Sequence, residues 1–219
     1  MTKKASATYK TGEHTCSVGD QGVSVSAVSG DKDQLVGWST IAAVAARAAG
    51  KTIALEPLLA RLEAWLAENR PRYHDGLAKS ATPKALAALS KTLGRPVPPE
   101  LEAWLKWHDG QGEEIIGCFY EAFALMSADQ IGASWKERHG SKEPGWSDGW
   151  IPLLDDGQGD LVLLDPSSPG CAVRETWRGA KNQPIVALSL AEWLAEFVGD
   201  VEAGIYEEDD ERGEFQRMG

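Results

Sequence analysis

Cysteine is scarce in this 219-residue chain: Cys16, Cys118 and Cys171 are the only three, odd in number and far apart. No CxxC pair exists, so reduced thiols fit better than a disulfide framework or a cysteine zinc site. Long apolar runs are missing too. No stretch reaches the roughly 18 residues that a membrane-spanning helix needs. The start Met1-Thr2-Lys3-Lys4-Ala5-Ser6 is not followed by an apolar stretch of signal-peptide length, and a cytoplasmic protein is expected. Positive charge is in deficit, with 22 Lys and Arg against 33 Asp and Glu and a net charge of −11. Such a surface repels nucleic-acid phosphates and anionic membranes, and speeds the encounter with a basic protein. Catalytic signatures are absent as well: there is no GxSxG, P-loop, HExxH or strand-to-helix GxGxxG. His14, His74, His108 and His139 stand at neither ligand nor catalytic spacing with another His or Cys. The expectation is therefore no enzyme, no cofactor, no metal, no nucleic-acid partner and no membrane.

What is present is patterned apolar sequence. In residues 1–53, Val23 and Val25 alternate with Ser24 and Ser26, and Gly19-Asp20-Gln21-Gly22 is a turn signal. A hairpin of Glu13–Val18 with Val23–Val28 follows, then a helix from Ile41 to Ala49 closed by Gly50. Such a ββα unit is too short to bury much core by itself. From 56 to 69, Leu58, Leu59, Leu62, Trp65 and Leu66 share one helix face. A linker through Asp75-Gly76 leads to a second helix, Thr82 to Leu93. A third passes through Leu101, Trp104, Leu105 and His108 and ends at Asp109-Gly110. Short strands are read at Ile115–Tyr120 and Phe123–Met126, and a helix at Ala128–Glu137. Strands at Trp150–Leu154, Asp160–Asp165 and Ala172–Trp177 precede a last helix over Leu190–Val198. Helices, then a meander of strands, then a helix make an α+β fold with an antiparallel sheet of about five to six strands flanked by helices. The small ββα appendage occupies 1–53, the main domain 54–204, and an acidic tail 205–219.

The strings Leu62-Glu63-Ala64-Trp65-Leu66 and Leu101-Glu102-Ala103-Trp104-Leu105 are identical. No fixed period extends the match, so they read as good helix formers around an aromatic anchor rather than as a repeat. Tryptophan is used nine times. Trp65, Trp104 and Trp193 fall on core stripes. Trp135, Trp146, Trp150 and Trp177 lie nearer loops or strand ends, where exposure beside acids would make a protein-binding hot spot. Gly157 and Gly159 can reverse the chain between Leu154 and Leu161, and the apolar run Leu161–Leu164 predicts a strand covered on both faces. Asp155, Asp156, Asp160 and Asp165 invite a calcium reading, but no final-position Glu follows and strands flank the loop, so a hairpin turn is expected. The run Glu207-Glu208-Asp209-Asp210-Glu211 is read as a disordered or solvated extension, or as an arm engaging a basic partner.

Several of these segments together resemble one family. Val97-Pro98-Pro99-Glu100-Leu101-Glu102-Ala103-Trp104-Leu105-Lys106-Trp107-His108-Asp109-Gly110 resembles the proline-marked helix and closing Asp-Gly of the SUKH superfamily. Phe123-Ala124-Leu125-Met126-Ser127-Ala128-Asp129-Gln130-Ile131 is similar to its strand followed by a Ser-started helix. Trp150-Ile151-Pro152-Leu153 with Gly157-Gln158-Gly159-Asp160-Leu161-Val162-Leu163-Leu164-Asp165 is similar to its strand, Gly-rich turn and second strand. The resemblance runs over residues 56–204, by order and spacing rather than by any single motif. It implies the fold of the Smi/Knr cell-wall-assembly regulators and of many bacterial toxin-immunity proteins, and with it a partner-binding role. The partner it implies is a basic toxin domain such as a nuclease. Candidate partner-binding residues are Trp107, Asp109, Asp155, Asp156, Asp160, Glu207, Glu208, Asp209 and Asp210. The alternatives are a regulatory or scaffold protein of the Smi/Knr type, and an enzyme or metal-binding protein.

Overall fold

The computed structural model describes residues 7–11, 14–19, 22–27, 53–112, 117–140, 145–168, 170–180, 183–209 and 214–218. The first three spans are β1 (Ala7–Thr11), β2 (His14–Gly19) and β3 (Gly22–Ala27), an antiparallel meander. The expected hairpin is its second half, with Val18 opposite Val23 and Gly19 opposite Gly22. β1 adds to that reading, because Ala7-Thr8-Tyr9-Lys10-Thr11 has no clean apolar alternation to announce a strand. The helix expected over Ile41–Ala49 lies outside the described residues.

The helical layer begins with α1 (Leu55–Asn69), which buries Leu55, Leu58, Leu59, Leu62 and Leu66 as its stripe predicts. The linker expected next is instead a short helix, α2 (Pro71–Asp75), because Pro71 at the first turn presets a helical φ and gives up no needed donor. α3 (Pro83–Leu93) opens where the Thr82 hydroxyl accepts the Ala85 N–H at 3.1 Å, and it closes on left-handed Gly94. α4 (Pro99–Trp107) buries Leu101, Trp104 and Leu105. α5 (Ala128–Arg138) starts with a reciprocal box: Ser127 Oγ accepts from the Gln130 N–H, and Gln130 Oε1 accepts from the Ser127 N–H. α6 (Leu190–Glu202) is capped by Ser189.

The sheet is antiparallel in the order β4 (Ala124–Leu125), β5 (Ile151–Asp155), β6 (Leu161–Asp165), β7 (Ala172–Thr176), β8 (Ile185–Ala187). The fold is thus α+β with a five-stranded sheet. β8 is a three-residue edge strand, too short to carry a period in the sequence. Leu161–Leu164 is fully buried, and the two faces of this run enter different clusters. Val162 and Leu164 join the main core, while Leu161 and Leu163 pack with Trp150 and Trp146. The strand expected at Ile115–Tyr120 does not form over its described part. Gly117 has φ 138° and Glu121 φ 49°, and Tyr120 only bridges to Phe123, so the chain turns back on itself there.

The acid run holds the largest departure from expectation. It is not a free extension: β9 (Tyr206–Asp209) and β10 (Glu214–Arg217) form an antiparallel pair. Tyr206 and Phe215 turn into the core, the Phe215 N–H donates to the Glu121 carbonyl at 3.1 Å, and the Met218 N–H donates to the Ile205 carbonyl at 2.7 Å. Buried Arg70, at the end of α1, holds the hairpin. Its guanidinium donates to the Cys118 carbonyl at 3.0 Å and to Glu208 Oε1 at 2.8 Å. The same group lies 4.3 Å from the Tyr73 ring centre and 4.2 Å from that of Phe215. Two aromatics, the Arg70–Glu208 pair and an Arg217–Asp200 pair at 3.2 Å thus anchor what a run of acids cannot.

Candidate functional site

α1 and α4 lie side by side and run in the same sense. Glu56, at the start of α1, repels the Glu100 carboxylate at the start of α4. Glu63, two turns later, meets Trp107 and His108 at the far end of α4. Between the helices runs an open groove of about 600 Å³ with Leu59, Ala60 and Ala103 along it and Trp107 at one end. Its width follows from the sequence: the two alanines carry no side chain beyond Cβ, so the helix surfaces leave a channel where leucines would have closed it. Glu56 and Glu102 rim the groove, and Lys106 is tied to Glu102 in an i,i+4 ion pair.

At the Trp107 end lies a polar network. Glu63 Oε2 accepts from the Trp107 indole N–H at 2.8 Å and stands 3.0 Å from His108 Nε2. Glu63 Oε1 stands 2.9 Å from His74 Nε2. The other nitrogen of His108 faces the Ala78 carbonyl at 2.6 Å. Both nitrogens of that ring therefore face oxygen atoms, which fixes its orientation. Burial alone would push the Glu63 carboxyl up, but the hydrogen bonds from His74, His108 and Trp107 outweigh it and hold the carboxyl below the usual carboxylate value. Glu63 keeps 39% of its side chain exposed, so the network faces outward. Its effect on the groove is to pin the Trp107 indole and to keep a carboxylate beside it.

The acids named from the sequence fall in three separate places. Asp109 serves the fold: its Oδ1 accepts the Ala128 N–H at 2.7 Å and so helps cap α5. Next to it, Gly110 has φ 84°, and a Cβ there would come within 2.6 Å of the Ser127 nitrogen. The Asp-Gly pair is thus required by a close approach to the start of α5. Asp155, Asp156 and Asp160 share the β5–β6 turn. Asp155 accepts from Gly157 N–H at 2.7 Å, and Asp156 Oδ1 accepts the amides of Gln158, Gly159 and Asp160 at 2.8–2.9 Å. Asp160 accepts the Arg178 N–H at 2.6 Å, and Arg138 donates to the Gly159 carbonyl at 2.9 Å. The turn is held by its own carboxylates and flanked by two arginines. Among the described residues no group of three or more His, Cys, Asp or Glu is arranged to hold a metal ion. In the hairpin, Glu208 is engaged with Arg70, Glu207 is exposed, Asp209 is in β9, and Asp210 lies outside the described residues.

Of the named residues, Trp107 is the one the structure places at the groove. Glu63 and His74 were the omissions. Glu63 shares with Glu56 and Ala60 a face of α1 that flanks its leucine stripe, and that Glu/Ala stripe was the available signal. His74 reaches Glu63 only through the bend at Arg70, which no local pattern announces. Elsewhere, Trp177 is 45% exposed, Ile185 and Val186 of edge strand β8 are exposed too, and Trp150 is buried. The Cys171 thiol is pushed up to about 11, chiefly by burial and then by Glu100 and Asp165, which keeps it protonated and a poor nucleophile. No described helix is long and apolar enough to cross a membrane.

Comparison with known proteins adds one finding. The model of the SMI1/KNR4 family (SUKH-1) matches residues 80–196, just over half of the chain. That span holds α3, α4, α5, the whole five-stranded sheet and half of α6; α1, α2 and the C-terminal hairpin lie outside it. No curated protein matches the chain.

Proposed function

The chain belongs to the SMI1/KNR4 family (SUKH-1), and from that premise we propose that it is a non-enzymatic protein-binding module of the bacterial immunity type. In this reading it binds and neutralises a basic toxin domain such as a nuclease. Domains of this family are typically protein-interaction modules. The observation that carries the reading to this chain is the apolar groove between α1 and α4, with a pinned tryptophan at one end and carboxylates along its rim. A chain of net charge −11 adds long-range attraction for a cationic domain. The family match equally favours a second reading, a regulatory or scaffold protein of the Smi/Knr cell-wall-assembly type.

The two readings separate in one experiment. The purified chain serves as bait in a lysate of its own source at low and at moderate salt, and bound proteins are identified. A single basic, toxin-like domain released as salt rises, whose activity the chain then blocks, is the expected result. Recovery of envelope-assembly or signalling proteins moves the assignment to the second reading. Recovery of nothing at either salt overturns both.

A further inference from the structure

The α1–α4 groove has a shape and a charge that together specify an occupant. Glu56 and Glu63 stand seven residues apart on α1, or about 10 Å and two turns of helix. The apolar floor between them, Leu59, Ala60, Ala103 and Trp107, is therefore two turns long. A helix laid on such a floor presents side chains at i, i+3 or i+4 and i+7 over the same length. The rim is acidic. Lys106 is already matched by Glu102, which leaves Glu56 on the rim at one end and, just past Trp107 at the other, Glu63, which accepts three hydrogen bonds but keeps 39% of its side chain exposed. Glu63 stays ionised because Trp107, His74 and His108 hydrogen-bond it, yet it remains open to solvent. Trp107, fixed by the same carboxylate, is the rigid aromatic surface on which an apolar side chain gains most. A second copy of the chain is a poor occupant, because an isologous contact would bring the same glutamates face to face. We infer that the groove docks a two-turn amphipathic helix of a protein partner, its apolar face on Ala60, Ala103 and Trp107 and a Lys or Arg at each end directed to Glu56 and Glu63. The inference rests on the protein-binding reading above and names its surface. One wall, α4, lies within the span that matches the family, and the other, α1, lies outside it.

The test uses the full chain and two synthetic peptides of about 14 residues, roughly four helical turns. Both have leucines at i, i+3 and i+7; one carries Lys and Arg at the flanks and the other Glu. Binding is followed through the Trp107 indole N–H resonance, assigned with Trp107→Phe. The basic peptide is expected to shift that resonance and the acidic one to leave it in place. Ala60→Arg, a change at an exposed helix position that fills the groove and cancels its charge, is expected to weaken the basic peptide by about tenfold or more while the melting temperature holds. Glu56→Lys should weaken it in the same direction. Equal binding of both peptides, an unmoved Trp107 signal, or undiminished binding by Ala60→Arg overturns the inference. So does a concentration-dependent dimer that Ala60→Arg abolishes, since the occupant is then a second copy. If a natural partner recovered with the unaltered chain is retained by Ala60→Arg, the groove assignment falls and the binding-module reading stands. If no partner is recovered with the unaltered chain, that reading falls by itself.

Discussion

Phe215→Ala tests whether the acidic C-terminal segment is part of the fold. The ring is 2% exposed. It lies 5.8 Å from the Trp65 ring, 5.1 Å from Tyr206 and 6.3 Å from Phe197, with the Arg70 guanidinium 4.2 Å from its centre. Truncating a buried phenylalanine to alanine costs about 3–5 kcal/mol through lost transfer energy and the cavity left behind. A chain of this size loses about 2–4 °C of melting temperature per kcal/mol, so the expected drop is about 6–20 °C. The lower end applies if the hairpin lifts off locally, since the loss is then capped by the free energy of docking it. Thermal melts followed by circular dichroism give the number, and amide exchange over 206–217 shows whether the hairpin opens first. Glu207→Ala, at an exposed position in β9 of the same hairpin, is the control and should stay within about 0.5 kcal/mol. A Phe215→Ala shift below about 2 °C, with exchange at 206–217 unchanged, would refute the claim that the hairpin is docked on the core.

Three further outcomes are expected. Glu208→Ala should cost about 1–2 kcal/mol, because it strips a charged hydrogen bond from buried Arg70, while the partly exposed position of Glu208 keeps the loss below that of a fully buried pair; Glu208→Gln should recover part of it in denaturant titrations. Asp156→Ala should cost about 1–2 kcal/mol, because one carboxylate oxygen accepts three turn amides, and Asp156→Asn should cost less; a wild-type melt for Asp156→Ala would show that the turn does not depend on it. Burial holds Glu100, Glu121, Glu175 and Asp200 above the ordinary carboxylate value, so their stabilisation is complete below that value and is lost as pH rises through the raised ones. Glu63 and Asp165, where hydrogen bonds outweigh burial, act oppositely: their stabilisation is present above the ordinary value and lost as pH falls through the lowered ones. Melting temperature should therefore be higher in mild acid than at neutral pH and fall in stronger acid, with Glu175→Gln flattening the neutral side; a melting temperature that climbs steadily through neutral pH would contradict this.

Elements that carry their own signal were legible from the sequence. The leucine stripe of α1, the helix starting at Thr82, the Asp-Gly after α4 and the both-face burial of Leu161–Leu164 each follow from local chemistry and periodicity, and the structure has them. What failed to show was decided at a distance. β8 has three residues and exists because β7 offers an edge. The Ile115–Tyr120 run has strand composition, but the tight bridge from Tyr120 to Phe123 and left-handed Glu121 prevail over it. The acidic hairpin is set by Phe215, Tyr206 and the Arg70 guanidinium, residues up to 145 positions apart in the chain.

The same long-range geometry changes what the negative charge means. Asp109 caps α5, Asp156 and Asp160 close the β5–β6 turn, and Glu208 neutralises Arg70. A carboxylate already accepting several N–H bonds has less left to offer a cation, and moving it away from those donors costs stability. Counting acids in a sequence cannot separate these from acids that face solvent beside apolar surface. Glu56 belongs to the second kind; Glu63 accepts from Trp107, His74 and His108 yet keeps 39% of its side chain exposed beside the groove, and both stand out only when α1 and α4 are laid side by side. An acidic module therefore uses its net charge to draw a basic partner in, but the contact that discriminates among partners has to be made where carboxylates border something apolar. In this chain that is the groove ending at Trp107.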